Sequence, residues 1–121
     1  MVQAGKGGVA VYRDESPDPQ SVTRDLLDLL FTEELGVGVF DAPSVLSYVS
    51  TSDAGKRMLI QLVNYAERPA DTVILWVYEK FKSARLYTPE SVPVDLTPRR
   101  SGSRIEISVP KLPVCGTLLI E

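Results

Sequence analysis

From residue 41 to 121 the apolar and polar positions alternate with a period close to two, interrupted at short intervals by Gly, Pro, Asn, Asp and Ser. Candidate strands fall at residues 44–51, 57–65, 71–78, 83–87, 92–96, 103–109 and 114–120, separated by turn clusters such as Ser52-Asp53-Ala54-Gly55 and Arg100-Ser101-Gly102. About seven short strands at this spacing predict a mainly β chain, an antiparallel β-sandwich. Residues 104–109 alternate cleanly, with Ile105, Ile107 and Val109 facing in and Arg104, Glu106 and Ser108 facing water. Residues 58–63 and 73–78 are almost continuously apolar, which predicts central strands covered on both faces. The loop from Asn64 to Ala70 is expected to join them as a hairpin, and Pro93 places its strand at a sheet edge.

Between Pro19 and Gly36 the period is helical. Asp18 is placed as an N-cap and Pro19 at the first helical position, where its missing N–H costs nothing. Val22, Leu26, Leu29 and Leu30 then recur on one face, widened by Leu27 and Phe31, until Gly36 ends the helix. Gly5-Lys6-Gly7-Gly8 reads as a tight turn into a strand at residues 9–12. It lacks the spacing of a phosphate-binding loop, and a strand follows where that loop needs a helix N-terminus. The expected organisation is a strand-plus-helix segment at residues 1–40, the end of a preceding domain, and a sandwich domain at residues 41–121. The lone strand and apolar helix need a partner, since they form no closed layer.

Composition then excludes several functions. The net charge is −3 and the thirteen Lys and Arg are scattered, so no basic stripe is available for nucleic acid. The apolar run at residues 73–78 is far short of the ~20 residues that cross a bilayer, and the N-terminus lacks a signal peptide's apolar segment. Nothing marks a membrane or an export route, which leans the expectation toward the cytoplasm. The single cysteine, Cys115, forms no internal disulfide and reads as a small buried hydrophobe. With no histidine in the chain, the commonest general base and metal ligand are absent. No cofactor is expected.

Glycoside hydrolysis needs two carboxylates flanking a sugar, and the sixteen Asp and Glu give no spacing that pairs them. Most, such as Asp14, Glu33, Asp53 and Glu90, sit where solvation or capping accounts for them. Trp76 and Tyr78 share one face of a strand and, with Tyr65 and Tyr87, are candidates for a sugar platform; packing within the sandwich or at an interface is the competing role.

Four stretches carry a resemblance to a known family. They are Leu59-Ile60-Gln61-Leu62-Val63-Asn64-Tyr65, Ser83-Ala84-Arg85-Leu86-Tyr87-Thr88-Pro89-Glu90, Ile105-Glu106-Ile107-Ser108-Val109-Pro110, and the closing Leu112-Pro113-Val114-Cys115-Gly116-Thr117-Leu118-Leu119-Ile120-Glu121. In order and spacing they resemble the small C-terminal β-sandwich of multidomain glycoside hydrolases of the β-galactosidase-like group. The N-terminal strand and helix resemble the last strand and helix of the flavodoxin-like, trimerisation-type domain that precedes it. The resemblance implies a non-catalytic accessory domain, partnered by a parent catalytic domain or a neighbouring subunit. A carbohydrate-binding module is the alternative. Catalytic carboxylates of such enzymes lie in a barrel with no counterpart in these residues, so none is carried over.

Overall fold

The computed structural model describes residues 2–4, 7–9, 16, 18–23, 36–52 and 54–121. The chain divides into two units, residues 1–34 and 35–121. In the first, β1 (Val2–Ala4) and β2 (Gly7–Val9) pair antiparallel, with Ala4 opposite Gly7. Gly7 and Gly8, read as part of a turn, therefore belong to a strand, and of the strand expected at residues 9–12 only Val9 is described, at the end of β2. Residues 19–23 are helical. Asp18 caps them: its Oδ2 accepts from the Ser21 backbone N–H at 2.9 Å, and its carbonyl accepts the first helical bond from Val22 at 3.0 Å. The expected continuation of the helix through Leu26 and Leu30, and residues 10–12 of the first strand, lie outside the described residues.

The second unit is an antiparallel sandwich of two sheets. One has the order β3-β6-β10-β9, formed by Val37–Phe40, Val73–Val77, Arg104–Val109 and Arg99–Ser101. The other has the order β4-β5-β11-β7-β8, formed by Val45–Thr51, Met58–Asn64, Cys115–Ile120, Ala84–Thr88 and Ser91–Leu96. All seven expected strands are present. β3 and β9, both short, are not among them. β6 and β5 lie inside their sheets as expected, and β8, which carries Pro93, is an edge strand.

Three expectations are corrected. Residues 64–70 do not close a hairpin, because β5 and β6 belong to opposite sheets and the segment crosses between them. β5 is not covered on both faces: Leu59 and Gln61 point outward and are exposed, while Met58, Ile60 and Leu62 point inward. Its apolar run is thus one core face plus one surface face of similar hydropathy. Cys115 is half-buried on the outer face of β11, not inside the core.

Strand alternation builds the core. Ile60 and Leu62 from β5 and Leu118 and Ile120 from β11 face Val73, Leu75, Ile107 and Val109 from the opposing sheet, all fully excluded from solvent. Each such side chain contributes about 1.5–3 kcal/mol by leaving water. Leu112, also fully buried, enters from the connection between β10 and β11, whose backbone is bridged to Ala70 in both directions at 2.9 Å.

One buried polar side chain joins these connections. Asn64, 5% exposed, ends β5. Its Nδ2 donates to the carbonyls of Arg68 at 2.9 Å, Pro113 at 3.1 Å and Leu112 at 3.2 Å. Its Oδ1 accepts from Ser44 Oγ at 2.9 Å and from the Ala66 N–H at 3.0 Å. The start of β4, the crossover and the β10–β11 connection are therefore pinned by one amide. Among the described residues no buried side-chain polar atom lacks a partner.

Candidate functional site

The outward positions of the five-stranded sheet fall into rows set by register. Tyr48 of β4 stands opposite Gln61 of β5, Gln61 opposite Thr117 of β11, and Thr117 opposite Tyr87 of β7. Three interstrand steps separate the two tyrosines, about 14 Å at 4.7–4.9 Å per step. Beside this row lies another of Leu46, Val63 and Cys115, in register across the same strands. Tyr48 is 61% exposed and Tyr87 39%. Between them runs an open groove of roughly 470 Å³, whose lining also includes Thr88 and Pro89. A bulge in the pairing of β7 with β8, between Leu86 and Thr88, sits at Tyr87; bulges of this kind re-aim side chains.

No charged residue lines the groove. Next to Tyr87 on β7, Arg85 makes a forked contact with Asp95 of β8, Nε to Oδ1 at 2.6 Å and Nη2 to Oδ2 at 3.2 Å. The hydrogen bond from Arg85 holds the Asp95 carboxyl below its usual range, and the same bond raises Arg85 further above its own. Both stay ionised at ordinary pH, and their charges cancel locally. Gln61 and Thr117, by contrast, make no side-chain hydrogen bond with any described residue. The floor therefore offers an amide and a hydroxyl to whatever enters.

The outer face of the four-stranded sheet is built differently. Gly38 of β3, Trp76 of β6, Glu106 of β10 and Arg99 of β9 form one row. Phe40 stacks on Trp76 with ring centroids 4.7 Å apart and planes 28° from parallel. The Arg104 guanidinium lies over the Trp76 ring, 3.6 Å from its centroid. Phe40 and Arg104 come from the two strands that flank β6. Such a cation–π contact is worth about 0.5–2 kcal/mol, and it holds the indole in place. Phe40, Ile74, Trp76 and Tyr78 are all half-buried.

The four aromatic residues singled out in the sequence are not brought together. Trp76 and Tyr78 lie on the four-stranded sheet and just past its end, where the Tyr78 N–H donates to Gly36 at 2.9 Å. Tyr87 lies on the other sheet, and Tyr65 is 68% exposed in the crossover. Tyr48, Gln61 and Thr117 were missed. The signal available was the outward parity of an apolar-looking strand: Tyr48 and Gln61 both fall on the face opposite the core residues. Among the described residues no group of three or more acidic or sulfur ligands is placed to hold a metal ion. No described helix is long and apolar enough to cross a membrane.

The architecture defines an antiparallel β-sandwich with two dissimilar outer faces. Comparison with solved structures agrees with that fold. Over 83% of its length the chain is similar to part of an α-L-fucosidase isoenzyme 2 from Paenibacillus thiaminolyticus, at 16% identity with a TM-score of 0.59. Over 69% it is similar to part of a Paenibacillus sp. cycloisomaltooligosaccharide glucanotransferase solved with cycloisomaltoheptaose, at 14% identity with a TM-score of 0.54. The chain spans 17% and 16% of those two proteins. No family model and no curated protein matches the sequence.

Proposed function

We propose that this chain is a non-catalytic accessory sandwich of a carbohydrate-processing enzyme, packing on the catalytic domain or a neighbouring subunit through the outer face of its four-stranded sheet. The observation that carries the reading is the fold likeness to about a sixth of each of two large carbohydrate-active proteins. The face itself supports it. Phe40, Ile74 and Trp76 form a half-buried centre with the Arg104 guanidinium over the indole, and Arg99 and Glu106 lie in the row beside them. Aromatic residues and Arg at the centre, with charge around them, are the composition of protein interfaces. Because Phe40 and Arg104 already fix the Trp76 ring, little rotamer entropy is lost when a partner covers it.

The test is a comparison of the enzyme polypeptide that carries the sandwich, intact and cut before Leu35. The cut belongs there because β3 is an edge strand of the sandwich, and a cut at Phe40 would remove it. The reading expects a lower unfolding midpoint and altered assembly with turnover per folded catalytic site retained. Incubation of the chain alone with aryl-glycosides is expected to give no turnover. A second reading, a carbohydrate-binding module, is favoured by the neutral groove on the opposite sheet.

A further inference from the structure

We propose that the groove across the five-stranded sheet binds a neutral oligosaccharide, held between Tyr48 and Tyr87 with Gln61 and Thr117 as its hydrogen-bonding floor. The occupant follows from the chemistry of the lining. No charged side chain lines the groove, and Arg85, which reaches the Tyr87 hydroxyl at its edge, is paired with Asp95, so a phosphate, a uronic acid or an acidic peptide meets no unpaired cation there. The floor, however, is not apolar. The Gln61 amide and the Thr117 hydroxyl have no side-chain partner among the described residues, so an apolar protein surface placed there would desolvate them without replacing their bonds.

A neutral sugar ring satisfies both requirements, since its C–H face lies on an aromatic ring while its hydroxyls both donate and accept. Tyrosine suits such a wall because it gives a rigid apolar face and a polar tip for two side-chain torsions. The separation of about 14 Å between Tyr48 and Tyr87 calls for an extended ligand running across the strands, not a single small ring in a closed pocket. The ligand class rests on the carbohydrate context proposed above. The site itself lies on the sheet opposite the proposed docking face, so the two ideas fail separately.

The experiment is calorimetric titration of the full chain with isomaltoheptaose, maltoheptaose, cellohexaose, laminarihexaose and xylohexaose, each to millimolar concentration. At least one is expected to bind saturably. Tyr48→Ala and Tyr87→Ala should each weaken that binding about three- to tenfold, and Tyr48→Phe should retain most of it. Tyr65→Ala, outside the groove, should bind as the wild type does. Fluorescence of Trp76, on the opposite sheet, should stay unchanged throughout. Thermal unfolding of each variant checks that it is folded. If none of the five sugars binds, or if binding persists undiminished in both alanine variants, the proposal is overturned. A fluorescence response from Trp76 with unchanged Tyr48→Ala affinity would overturn it in favour of the other face. Either result leaves the stability and assembly test of the docking face untouched.

Discussion

Replacing Asn64 by Ala is expected to cost far more than the loss of one surface amide. The side chain is 5% exposed and makes five contacts that meet hydrogen-bond distance, three through Nδ2 and two through Oδ1. The amide has only two hydrogens for three carbonyls, so about four full bonds are at stake. At about 1 kcal/mol net for each, and with some carbonyls rescued by water, the loss is about 3 kcal/mol. For a domain of this size that lowers the unfolding midpoint by about 15 °C. Asn64→Asp separates the two halves of the network. The Ser44 and Ala66 donors keep an acceptor, but an ionised oxygen now meets the carbonyls of Arg68, Leu112 and Pro113. Those carbonyls raise the new carboxyl's folded pKa above its unfolded value of about 3.9. Its stability is therefore fully present below that value and is lost as pH rises through the folded pKa. Thermal melts from pH 3.5 to 8, followed by circular dichroism, should show the Asp variant's deficit against wild type growing with pH. An Ala variant within 1 kcal/mol of wild type, or an Asp variant with a pH-independent deficit, would refute this account of the joint.

Other expectations follow from the same geometry. Ile107→Ala, at a fully buried position, should cost about 2–5 kcal/mol in denaturant unfolding. Gly116→Ala places a Cβ 3.2 Å from the Cδ1 atoms of both Leu112 and Leu86, so it should destabilise by about 1 kcal/mol, with the shifts visible in the methyl NMR signals of those two leucines. Asp95→Asn should have a small effect, since the Arg85 pair is exposed. Because Arg85 depresses the Asp95 pKa, wild type should exceed the variant at neutral pH, and the gap should close as pH falls through the folded pKa.

The alternation of residues 104–109 and the placement of Pro93 were legible because each strand had one buried face and one wet face, or one edge. β5 misled for a definite reason: Leu59 and Val63 make its surface face nearly as apolar as its core face, so hydropathy could not distinguish them. β3 was hidden by its brevity, and β9 by its composition of Arg99, Arg100 and Ser101, which reads as a turn. The groove was illegible because it is assembled from four strands in the spatial order β4, β5, β11 and β7, an order that local periodicity does not encode. Asn64 was visible as a residue ending a strand, but its partners lie up to 49 positions away. Trp76 falls on β6 as expected, but the strand ends at Val77, before Tyr78, and the engagement of Trp76 by Phe40 and Arg104 depends on strands from either side.

In the proposed role the sandwich supports an enzyme and performs none of its chemistry. That role is tested most directly by measuring unfolding midpoint and turnover per folded catalytic site in the parent polypeptide, with and without residues 35–121. A clear fall in the midpoint with turnover preserved is expected. An unchanged midpoint and assembly, or turnover abolished in a folded remainder, would overturn that role.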